Sequence, residues 1–143
     1  MGGSGIIKRD LIANGAVGVH YVGKIDREIF SCISSNIATD EVIITDERVA
    51  HIRERHPGDY ERYVEYLTQI VEAPDYILAA NKPNSALLLK SFEENGKNYK
   101  LILRFVTTTE DVNYKNSVIT FQKVETRRYL RYIKSDKVLY KRE

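Results

Sequence analysis

Three stretches decide the fold: SALLLKSF at 85–92, NYKLILRFVT at 98–107 and KNSVITFQK at 115–123. Each is a short run rich in Leu, Ile, Val and Phe, and turn-forming residues separate one from the next: Asn81-Lys82-Pro83-Asn84, then Glu94-Asn95-Gly96-Lys97, then 108–113. Short apolar runs punctuated in this way read as strands joined by tight connections, and an antiparallel meander is their economical topology.

Working outward, Tyr76 to Ala79 predicts a further strand. Pro74-Asp75 closes a helix that starts at Asp59 and carries Tyr60, Tyr63, Leu67, Ile70 and Val71 at helical spacing. Before it, Val42-Ile43-Ile44 is a short strand that runs into a helix capped by Thr45 or Asp46. That helix must end near His56, because Pro57 disfavours helical geometry in the residue before it. Residues 15–33 suit a small hairpin or irregular strand pair. Glu125 to Tyr132 predicts a last helix, with Val138-Leu139-Tyr140 returning as an edge strand. The expectation is an α+β protein: N-terminal helices packed against an antiparallel sheet of about four strands, with an additional N-terminal hairpin or short strand pair. It comprises a flexible 1–14 and a single domain over 15–143.

At 143 residues, with 43% hydrophobic and 29% charged positions, the chain is long enough to bury one core and too short for two. Cys32 is alone, which excludes an intramolecular disulfide framework and any thiolate-rich zinc or iron-sulfur site. No apolar run approaches the ~20 residues that span a bilayer. A cytoplasmic protein with no membrane partner, monomeric by default, is the expectation. The net charge is only +2, but its distribution is uneven. Residues 40–75 sum to −6 and residues 123–143 to +5, the latter through Lys123, Arg127, Arg128, Arg131, Lys134, Lys137, Lys141 and Arg142. That cluster either attracts a polyanion by converging on one face or serves as ordinary solubilising charge. Tyr132 and Tyr140 flank it, where an aromatic ring can stack on a base.

The first helix carries His51 and His56 together with Arg48, Arg53 and Arg55. Five residues apart, the two imidazoles stand ~140° apart around an ideal helix and make a poor metal pair, so no metal and no cofactor are expected. Histidine titrates near neutrality and can take a hydroxyl proton or protonate a leaving oxygen. On the strands, Lys90 alternates onto the side of Ala86, Leu88 and Phe92, Arg104 lies with Ile102 and Val106, and Thr120 with Val118 and Asn116. Were register to bring Lys90, Arg104 and Thr120 onto one concave face, two cations and a hydroxyl would meet a phosphodiester there, with an imidazole arriving from the helix. The plainer alternatives stay open: Lys90 snorkels, Arg104 pairs with a helix carboxylate such as Glu65, and Thr120 is a favourable strand residue.

In this order the segments resemble the phage-associated nuclease families grouped with barnase, EndoU, the tRNA-cutting colicins and RelE. The resemblance runs over about 42–140. It rests on Ile43-Ile44-Thr45-Asp46-Glu47-Arg48-Val49-Ala50-His51-Ile52 with Arg55-His56-Pro57, on Glu72-Ala73-Pro74-Asp75-Tyr76-Ile77, on Lys90, on Asn116-Ser117-Val118-Ile119-Thr120 and on Leu139-Tyr140. It implies a helix preceding an antiparallel sheet whose concave face forms the site, and a metal-independent endoribonuclease of prophage or toxin type. Such an enzyme uses the ribose 2′-hydroxyl as nucleophile and leaves a 2′,3′-cyclic phosphate. By position the catalytic candidates are His51, His56, Lys90 and Thr120, with Arg104 added on geometry; Arg48, Arg55, Arg128 and Tyr140 are the expected substrate contacts. RNA is the implied partner, and a phage head-associated carrier or an immunity protein a further one, with virion association as a second location. The competing reading is a catalytically inactive phage structural or adaptor protein on the same fold.

Overall fold

A computed structural model of the chain describes residues 18–108, 110 and 114–143. The expected flexible stretch at 1–14 lies outside the described residues. From the N-terminus come β1 (Val19–Lys24), a 3-10 turn at Ile29–Cys32, β2 (Glu41–Thr45) and α1 (Asp46–Arg55). Then follow α2 (Asp59–Tyr63), a 3-10 turn at Val64–Tyr66, α3 (Leu67–Glu72), β3 (Tyr76–Ala79), β4 (Ser85–Phe92), β5 (Lys97–Arg104), β6 (Asn116–Val124), α4 (Thr126–Ile133) and β7 (Val138–Lys141). Among the described residues no helix is long and apolar enough to cross a membrane.

The strands form one seven-stranded mixed sheet in the order β1-β2-β6-β5-β4-β3-β7. This corrects the expectation of N-terminal helices against an antiparallel sheet of about four strands. The meander β4 to β6 forms as predicted, β3 pairs antiparallel with β4 beside it, and strands from both ends of the chain extend the sheet. β1 has no hairpin mate within 15–33, because Phe30 turns fully into the core from the 3-10 turn; its partner is β2, with Val19 opposite Thr45. β2 lies parallel to β6, with Val42 beside Asn116. Asn116 is fully buried and helps hold that junction: its Oδ1 accepts the Val106 N–H at 2.9 Å and its Nδ2 donates to the Thr39 carbonyl at 2.7 Å. β7 adds to β3 at the far edge, and the helices fall in the middle and toward the C-terminus of the chain.

Local chemistry sets the helix ends. The Thr45 hydroxyl accepts the Arg48 N–H at 3.1 Å, and Asp46 and Glu47 sit in the first turn, where acids favour the positive end of the helix. After Pro57, Gly58 takes φ 85°, a left-handed conformation that glycine adopts at little cost, and α2 starts. The long helix predicted from Asp59 is broken by the 3-10 turn at Val64–Tyr66, where Tyr63 and Tyr66 enter an aromatic cluster with Phe92 and Tyr99. Burial pushes the Tyr99 phenol up to about 12; its oxygen accepts from Asn95 at 3.1 Å.

The sheet therefore has two unlike faces. Helices α1 to α3 cover one, packing Val49, Ile52, Ile70 and Val71 against Val42, Ile44, Leu88, Leu101, Leu103 and Phe121. The other is covered only in part, by α4, whose Tyr129 packs with Leu78, Leu87, Leu89 and Val124.

Candidate active site

The half-covered face carries a cationic cleft. Residues paired directly across neighbouring strands share a face, so Leu87, Ile102 and Thr120 stand in one row and Leu89, Lys100 and Gln122 in the next. Because Tyr129 anchors α4 to this face, Arg128, Arg131 and Tyr132, at i, i+3 and i+4, can share one side of the helix. Between α4 and the sheet lies a cleft of about 530 Å³ lined by Lys100, Arg128, Arg131, Lys137 and Tyr132 over a floor that includes Ile102, with no carboxylate among its lining residues.

The cations organise the phenol. Lys100 Nζ donates to the Tyr132 hydroxyl oxygen at 3.2 Å, and the Arg128 guanidinium stands 5.8 Å from the ring centroid. Burial pushes the Tyr132 phenol up, but the Lys100 hydrogen bond and the charges of Lys100 and Arg128 outweigh it, leaving its pKa below the ordinary tyrosine value. More phenolate is then present at a given alkaline pH than in a free tyrosine. Lys100→Met removes the largest of the lowering influences, so the Tyr132 titration should move to higher pH, as read by ultraviolet absorbance of the phenolate. No upward movement would show that Lys100 does not set this group.

The residues expected from sequence are distributed over both faces. Lys90 pairs with Tyr99 and so lies on the helix-covered face, whereas Arg104, paired with Ser85 and Ser117, and Thr120, paired with Ile102, lie on the open one. Lys90, Arg104 and Thr120 therefore do not converge. Strict alternation placed Thr120 with Val118; a bulge in β6 breaks it, since Leu103 pairs with Val118 but Ile102 with Thr120, leaving Ile119 as the extra residue. Thr120 thereby reaches the face of the cleft, beside Ile102 on its floor.

Lys90 is engaged elsewhere: its Nζ donates to the Ala73 carbonyl at 2.6 Å and lies 3.5 Å from Asp75. Arg104 pairs with Glu110, not Glu65, at 3.0 Å. The Glu110 carboxyl is held below its usual range, first by the Thr107 N–H and then by Arg104. His51 and His56 belong to α1 and its end, on the opposite side of the sheet from the cleft; both are half-buried, and neither makes a side-chain hydrogen bond or ion pair among the described residues. Arg48 and Arg55 sit on the same helix. Tyr140 pairs with Ile77 and packs against the helix-side core, so of the expected substrate contacts only Arg128 lines the cleft. Lys100 alternates with Ile102 and Arg104 along β5, and only the position of α4 makes it part of a cleft. Among the described residues no three His, Cys, Asp or Glu side chains group as a metal site.

The sheet thus has one face buried under helices and, on the other, a cationic cleft with no carboxylate among its lining residues. Over residues 19–141 the chain matches the family described as phage-Barnase-EndoU-ColicinE5/D-RelE like nuclease2, and it belongs to that family. The match begins at Val19, so β1 lies within the family region that the sequence motifs placed from 42 onward. Comparisons with curated proteins and with solved structures give no match.

Proposed function

We propose that the protein is a metal-independent endoribonuclease that cuts by attack of the ribose 2′-hydroxyl on the adjacent phosphate, in the cleft between α4 and the sheet. The observation that carries this reading is the set of four cations and one phenol gathered around a single opening without a carboxylate. Tyr132, in its phenolate form, accepts the proton of the 2′-hydroxyl. The O2′–P bond forms as the P–O5′ bond breaks, and the departing 5′-oxygen takes a proton from the Lys137 ammonium. Arg128 and Arg131 stabilise the added negative charge on the phosphorane-like transition state.

The products should carry 2′,3′-cyclic phosphate and 5′-hydroxyl ends. Labelled RNA incubated with the purified protein in a metal chelator should yield those ends, and DNA of the same sequence should stay intact because it lacks the nucleophile. Intact RNA across single-stranded, structured and ribosome-bound substrates would refute the proposal.

A further inference from the structure

A second cleft, of about 420 Å³, opens beside the first, and the segment Ala79-Ala80-Asn81 lines both. Its lining is of a different kind. Ile33, Pro83 and Leu139 present apolar surface, while Asn81 and Asn84 carry amides that make no side-chain hydrogen bond among the described residues. Lys82 is its one cation, and no carboxylate lines it. Leu139 is 47% exposed, an apolar side chain left facing solvent at this opening. Apolar walls with free donor and acceptor edges suit a flat, neutral heterocycle better than a second phosphate.

Lys100 and Arg128 both stand against the Tyr132 ring, 5.6 and 5.8 Å from its centroid, so that ring is already engaged by cations. The two clefts share the three-residue segment Ala79-Ala80-Asn81 as a common wall, at most about 10 Å from end to end. A chain whose phosphate sits among the four cations can therefore reach across it.

We propose that the second cleft binds the nucleobase next to the phosphate that is cut, so that the substrate is single-stranded RNA laid over Ala79-Ala80-Asn81. This rests on the first cleft being the phosphate site. Duplex RNA is excluded as a direct substrate, because its bases are paired and stacked and cannot enter a side opening.

Cys32, the chain's one cysteine, lines the second cleft and is exposed, which gives a reporter independent of cleavage. Burial raises its thiol pKa, so alkylation is followed at mildly alkaline pH. A non-cleavable 2′-O-methyl tetranucleotide should slow maleimide labelling of Cys32 severalfold, and inorganic phosphate should not. The double variant Asn81→Ala, Asn84→Gly removes both amides while glycine tolerates the φ of 56° at position 84. It should bind the tetranucleotide about tenfold more weakly by fluorescence anisotropy and lose the protection of Cys32. Binding of the tetranucleotide with Cys32 labelled at its free rate, or unchanged affinity in the double variant, would overturn this subsite and leave the nuclease reading standing. Protection by phosphate alone would overturn it as a base site. Absence of any tetranucleotide binding by the unmodified protein would overturn both.

Discussion

Tyr132→Phe should lower kcat for RNA cleavage by roughly 10²–10⁴-fold, the contribution of a positioned general base, with KM little changed. The substitution deletes one oxygen and keeps the ring that packs beside Val124 and Tyr129, so the fold should be preserved. Lys100 loses a hydrogen-bond partner, but it is only partly buried and can turn to water. His51→Ala supplies the opposing test, because α1 lies across the sheet from the cleft. If cleavage follows Tyr132, the chemistry is in the cationic cleft. Loss of cleavage in His51→Ala, with Tyr132→Phe unaffected, would place it on the helix side, where the sequence motifs first pointed.

Asp75→Ala should cost about 3 kcal/mol of folding stability, seen as a lower urea midpoint and a melting temperature down by roughly 10 °C. Asp75 ties three segments together. Its carboxylate accepts the Ser91 N–H at 3.0 Å, pairs with Arg142 at 2.8 Å and faces Lys90 at 3.5 Å, while its backbone bonds to Leu89 and Arg142. The Lys90 and Asp75 side chains are 12% and 16% exposed, so removing the carboxylate leaves a poorly hydrated ammonium with the Ala73 carbonyl as its remaining oxygen contact. Lys90→Met in the Asp75→Ala background should recover part of the loss, since the Lys90 ammonium is then no longer left poorly hydrated without its carboxylate. The single variant Lys90→Met should change stability more than kcat. A fall in kcat with unchanged stability would make Lys90 a catalytic group.

Much of the architecture was legible because it is written in neighbouring residues. Thr45 before Asp46-Glu47, the Pro57-Gly58 break and the turns at 81–84 and 94–97 act over a few bonds, so the elements they bound could be placed from sequence. The bulge at Ile119 was not legible. Its alternation looks regular until β5 supplies the register, and one extra residue sends Thr120 to the other face. The basic C-terminal cluster was visible as charge, and Arg128 was picked out from it, but its target was not: Lys100 lies 28 positions earlier than Arg128.

Sequence alone placed β2 to β7, the helix start after Thr45 and the break at Pro57-Gly58, the lone cysteine and the separation of acidic middle from basic end, because composition, capping and period act locally; it did not place the pairing of β1 or the break at Val64–Tyr66. Tertiary structure alone decided that β2 runs beside β6, that β1 and β7 complete seven strands, and that α4 lies over the open face. Those pairings join residues far apart in the chain and depend on burying Phe30, Asn116 and Tyr129 together with distant partners. The meeting of Lys100 with Tyr132 follows from that burial.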